Sequence, residues 1–239
     1  MRFLSPLVIS LILSSCAPGR KPAPSTVYPL LNPLLALSPD LRISELQPFS
    51  HKMSALVDER KKAGDIQEAS VSFRDLESGA IKGIDFDIKF TPASLLKVPM
   101  LIAALKQSEK DPAFLQRRIV LGIPPREVML LGAPSLVPGQ TYSVEELLRA
   151  MIVDSDNGAL QALKDVVDRG EQDAVYRDFG MVIPQYRALD DSMSVREYSS
   201  LFRVLYNSSY LERPASQKAL EWLSQTKFKD GLVAGVPPA

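Results

Sequence analysis

The segment Phe90-Thr91-Pro92-Ala93-Ser94-Leu95-Leu96-Lys97 places a hydroxyl and an amine three residues apart at the start of an apolar run. Residues three apart share one face of a helix, so the Lys97 amine reaches the Ser94 hydroxyl. A serine hydroxyl is a weak nucleophile until a neighbouring base takes its proton. A lysine is such a base only where burial or nearby positive charge lowers its pKa. A helix start adds backbone N–H groups and a positive dipole end, which suit a developing oxyanion. The chemistry on offer is nucleophilic acyl transfer. Spacing alone decides little, because a chain with 25 Ser and 13 Lys yields about 1.4 such S-x-x-K matches by chance. A capping serine beside a solvated lysine is the ordinary alternative. A second match, Ser224-Gln225-Thr226-Lys227, lies at the far end of an expected helix and is set aside as a coincidence.

Ser155-Asp156-Asn157 changes the weighing. With 16 Asp and 3 Asn in the chain, chance supplies about 0.02 S-D-N triplets. The triplet falls between two expected helices, where a short loop projects side chains, although all three residue types are also good helix caps. S-x-x-K followed by S-D-N resembles the motif set of class A β-lactamases and penicillin-binding proteins. The resemblance extends over residues 43–239. Phe90 to Met100 is similar to the strand-to-helix passage around that family's nucleophile. Met151 to Asp154 is similar to the helix before its S-D-N loop, and Met193 to Ala239 to the helices before its K-T-G strand.

The resemblance implies Ser94 as the acylated nucleophile and Lys97 as base and hydrogen-bond organiser. Ser155 would pass a proton to the leaving nitrogen. Asn157 would bind the substrate amide and help hold Lys97, and Asp156 would be structural. It implies no cofactor and no metal, and a small-molecule β-lactam or a peptidoglycan-like peptide as substrate. Two departures stand out. No K-T-G occurs in residues 1–239, so the chain reads as stopping before that strand and is expected to lack full competence as given. Between Gly180 and Met193 there is no Glu to match the E-x-x-L-N deacylating residue; Asp190 and Asp191 are the only carboxylates there, and capping the next helix is their commoner use. β-Lactam hydrolysis is the first reading. A D,D-peptidase, transpeptidase or penicillin-binding protein with slow deacylation is the second, and a non-catalytic envelope-anchored binding protein the third.

The elements that must position these residues are legible in the hydrophobic pattern. Arg2 and the apolar run Phe3 to Leu13 read as the core of a signal peptide, too short for a finished membrane span. Leu13-Ser14-Ser15-Cys16 resembles a lipoprotein box, so residues 1–15 are expected to be removed and Cys16 lipidated, anchoring an exported protein to the bacterial cell envelope. Residues 16–42 carry six prolines after Cys16 and read as a stiff tether. Its Leu30-Leu31 and Leu34-Leu35 pairs are apolar enough to dock on the domain at 43–239. A helix is expected from about Ile43 to Lys62, then a hairpin over Ala69–Phe73 and Ala80–Phe86 around a Glu77-Ser78-Gly79 turn. Further helices are expected at Ser94–Lys106, after the Ser143/Glu146 capping box, and at Asn157–Val167, Ser194–Tyr206 and Ser216–Leu223. No later strand is evident. Strands first and helices afterwards give an α+β fold; the resemblance makes it an antiparallel sheet flanked by helices plus a helical lobe.

Composition removes other classes. Lys+Arg and Asp+Glu both number 28, with no long basic run, which disfavours a nucleic-acid partner. The one histidine, His51, lies in a polar stretch and is expected at the surface, so a histidine-based triad or metal site has no material. One cysteine permits neither an intrachain disulfide nor a cysteine zinc cluster. Nothing in the sequence fixes the oligomeric state.

Overall fold

A computed structural model of the protein describes residues 27–32, 47–76, 80–125, 128, 134–184 and 192–236. Cys16, most of the Pro-rich stretch, the 77–79 turn, Asp190 and Asp191 lie outside the described residues.

The core is organised around one helix. Helix α2 (Lys97–Lys110) buries every residue from Lys97 to Leu105. A helix apolar on all sides belongs in the interior, and the other helices surround it. These are α3 (Val144–Val153), α4 (Asn157–Val166), α5 (Arg169–Asp178), α6 (Val195–Tyr206) and α7 (Arg213–Ser224). Helices α3, α5 and α7 pack directly on α2, while α4 packs on α3 and α6 on α7. Leu101, Leu147, Leu148, Met151, Leu163, Leu201 and Leu205 are fully enclosed in this lobe.

Local chemistry sets the helix starts. Ser143 and Glu146 form a reciprocal capping box on α3, Glu146 N–H donating to Ser143 Oγ at 3.1 Å and Ser143 N–H to Glu146 Oε2 at 2.6 Å. Ser194 and Glu197 repeat the device on α6. Helix α5 was not foreseen. Its sequence is largely polar, with Val175 and Tyr176 as its buried apolar side chains, too few to show a helical period. An Asp168 cap accepting from Glu171 N–H at 3.1 Å starts it.

The extended elements are short antiparallel pairs. Strands β1 (Val71–Arg74) and β2 (Ile81–Ile84) form the expected hairpin in the register Val71↔Ile84 to Arg74↔Ile81. Gly83 permits their close approach, since a Cβ there would lie 1.9 Å from the Val71 carbonyl oxygen. Helix α1 (Gln47–Ala63) lies against β2, and α6 against β1. The Phe49 and Phe73 rings meet at 4.6 Å between centroids. No α1 side chain is fully buried, and His51 is exposed as expected.

The expectation that no further strand follows is corrected by two more pairs. β3 (Lys89–Phe90) joins β6 (Met193–Ser194), and β4 (Arg118–Val120) joins β5 (Thr141–Ser143). Two or three residues are too few for alternation to register. The β3–β6 ribbon matters for function, because it fixes the chain four residues before Ser94. Part of the Pro-rich stretch docks on the lobe: Leu31 is buried, Leu30 N–H donates to Gln217 Oε1 at 3.1 Å, and Asn32 N–H to the Tyr206 carbonyl at 2.8 Å.

Candidate active site

Ser94 does not sit in the α-helix, as the sequence had suggested, but in a 3₁₀ turn at Ala93–Leu96 that leads into α2. Pro99 supplies the reason. It has no N–H to give the Leu95 carbonyl, so regular i to i−4 bonding cannot begin there. The chain tightens instead, with Leu95 N–H donating to the Pro92 carbonyl at 2.9 Å. The turn leaves Ser94 exposed while Lys97, the first residue of α2, is only 3% exposed.

The end of α3 brings Ser155 onto this pair. Lys97 Nζ donates to Ser155 Oγ at 2.7 Å, to the Ser155 carbonyl at 2.6 Å and to Ser94 Oγ at 3.3 Å. Ser155 Oγ lies 3.3 Å from Ser94 Oγ, so two hydroxyls and one amine form a closed triangle. Burial pushes the Lys97 amine down from 10.5 to about 8, against the pull of Asp156, which raises it. An amine at that value carries a neutral fraction near neutral pH, which is what a general base requires.

Backbone strain frames the triangle on both sides. Ala93 has φ 47° and Ser155 has φ 57°, left-handed conformations that non-glycine residues hold only when their surroundings dictate them. For Ser155 the downstream surroundings are plain. Asp156 is buried and accepts from Ser135 N–H at 2.6 Å, Ser135 Oγ at 2.9 Å, Leu136 N–H at 3.2 Å and Ala159 N–H at 2.8 Å. Burial works to raise its pKa, but these bonds outweigh burial and hold the carboxyl below its usual range. Asp156 thus caps α4 and ties the 134–136 loop to the site, a structural part.

Asn157 opens α4, half-buried, next to Asp156. It was expected to help hold Lys97, yet no hydrogen bond joins the two among the described residues; the Ser155 carbonyl and hydroxyl hold Lys97 instead. In the second S-x-x-K the two side chains turn to separate partners. Ser224 Oγ donates to the Glu221 carbonyl at 2.8 Å, and Lys227 forms an ion pair with Asp154. Sequence reasoning missed the Ser155 carbonyl and the Asp154–Lys227 pair, neither of which carries a motif.

The sequence profile of the beta-lactamase enzyme family matches residues 48–239. The chain belongs to that family. Its fold is likewise similar to that of PBP-A, at 23% identity over 77% of this chain and 74% of that one, with a TM-score of 0.63. A PBP-A mutant, described as an acyl-enzyme complex with penicillin G, is 23% identical over 78% and 74%, with a TM-score of 0.62. The β-lactamase of Sphaerobacter thermophilus is 22% identical over 67% of this chain and 65% of its own, with a TM-score of 0.57. A comparison with curated proteins gives no match. Family membership makes the chain a β-lactamase-like serine hydrolase, and its fold is the expected α+β architecture.

Proposed function

We propose that the protein is acylated on Ser94 by β-lactams and hydrolyses the resulting ester. The observation that carries this reading is the buried Lys97 amine, lowered to about 8 and within reach of both hydroxyls. A neutral amine has two N–H bonds and one lone pair. The two short contacts, to the Ser155 carbonyl and hydroxyl, take the N–H bonds. The lone pair then faces Ser94 Oγ.

Lys97 takes the Ser94 proton as Oγ bonds to the lactam carbonyl carbon, and the Ser94 backbone N–H steadies the oxyanion. The lactam C–N bond breaks, and the proton passes from Lys97 through the Ser155 hydroxyl to the leaving nitrogen. Asn157 binds the substrate amide. Water then cleaves the Ser94 ester. The acyl-enzyme described for the PBP-A mutant supports the first half of this sequence.

A second reading, a D,D-peptidase or penicillin-binding protein with a long-lived acyl-enzyme, is favoured by one observation: no glutamate lies between Gly180 and Met193. Pre-steady-state kinetics with a chromogenic β-lactam separates the two. A β-lactamase turns over continuously; a penicillin-binding protein gives one stoichiometric burst and then a slow rate. No reaction with any β-lactam, under conditions where the protein is folded, would overturn both.

We also infer an envelope location, with lipidated Cys16 as the anchor, from the lone cysteine behind an apolar run. Mass spectrometry of the membrane fraction should find the acyl mass on Cys16, and a soluble mature protein without it would refute the inference.

A further inference from the structure

Helix α3 ends on an acid in an unfavourable place. Asp154 is its C-cap residue, at the negative end of the helix dipole, where cations and not carboxylates are stabilising. Its Oδ1 is sealed from solvent, which raises the cost of an unbalanced charge. Lys227 supplies the balance by an ion pair to that oxygen.

Two more contacts accompany it. Lys227 N–H donates to the Val153 carbonyl at 2.9 Å, satisfying an acceptor left over at the helix end. Arg149 Nη2 donates to Gln225 Oε1 at 3.1 Å one turn earlier. Residues 225–227 are therefore stitched to the C-terminal half of α3 and its cap at three points, just before Ser155. Downstream, Asp156 already pins the chain. Upstream, the Lys227 ammonium is the side-chain anchor for Asp154 among the described residues. Between these two anchors stands Ser155 in its left-handed conformation.

We propose that Asp154 and Lys227 are positioning residues, a clamp that holds the turn carrying Ser155 so that its carbonyl and hydroxyl both meet Lys97. The proposal rests on Ser155 belonging to the acyl-transfer machinery. It gives the lysine of the unused S-x-x-K a purpose of its own.

Lys227→Met keeps the aliphatic stem and removes the charge. It should slow acylation by a fluorescent penicillin about fivefold, the scale of one partly exposed ion pair, and speed amide exchange at Ser155 and Asp156. Lys227→Arg should restore both. In a Ser155→Ala background, which removes the positioned hydroxyl and keeps the carbonyl, Lys227→Met should slow acylation by clearly less than fivefold. An equal slowing in both backgrounds, or unchanged exchange at Ser155 and Asp156, overturns the clamp. Should the unmutated protein take no label, the acyl-transfer reading fails by itself and exchange decides the clamp. Faster exchange in Lys227→Met, reversed in Lys227→Arg, supports it, and unchanged exchange refutes it.

Discussion

Replacing Lys97 with Met tests the energetic basis of the site without any substrate. The folded protein holds this amine at about 8, against 10.5 in the unfolded chain. Protonated Lys97 is thus less stable in the folded state, and the full penalty applies below about pH 8. As pH rises from about 8 to 10.5 the folded state has already lost the proton while the unfolded state still binds it, so stability rises with pH. The shift corresponds to about 3 kcal/mol in all, most of which is recovered between pH 7 and pH 10. Methionine has the right length to fill the space and does not titrate. Urea unfolding of both proteins across that pH range isolates the group, since every other titration cancels in the difference. The wild type should gain about 2–3 kcal/mol on Lys97→Met from pH 7 to pH 10. A difference that stays flat with pH would show that burial does not depress this amine, and the base assignment would lose its physical support.

Three other outcomes follow from the same geometry. The acylation rate should climb with pH through a midpoint near 8 and level off above it, because only neutral Lys97 accepts the Ser94 proton; at pH 7 about one-tenth is neutral, and a rate independent of pH from 6 to 9 would contradict this. Asp156→Ala should cost about 2–3 kcal/mol, leaving the buried Ala159 donor and the part-buried donors of Ser135 and Leu136 without their carboxylate, and should also slow acylation; unfolding titrations and labelling rates measure the two effects. Leu31→Ala should destabilise the domain by about 2–3 kcal/mol, read as a lower urea midpoint, whereas a tether free of the domain would give no change.

Much of the helical lobe was legible because its signals are local. Capping boxes at Ser143 and Ser194 and the apolar run after Lys97 announce themselves within four residues. Helix α5 was hidden because its buried apolar face comes down to Val175 and Tyr176, and the β3–β6 and β4–β5 pairs because their strands are two or three residues long. Of the site, Ser94, Lys97 and Ser155 came together as the motif spacing indicated. What spacing cannot convey is backbone. The 3₁₀ turn forced by Pro99, the positive φ of Ala93 and Ser155, and the Ser155 carbonyl as a partner of Lys97 are properties of chain path. The Asp154–Lys227 pair joins residues 73 positions apart with no motif between them.

The central claim is that the Ser94 hydroxyl is the nucleophile. Incubation with penicillin G, proteolysis and peptide mass spectrometry locate the acyl group directly. The account predicts a penicilloyl mass on the peptide containing Ser94, lost in Ser94→Ala. A penicilloyl mass on the peptide containing Ser224, or one that persists in Ser94→Ala, would contradict it.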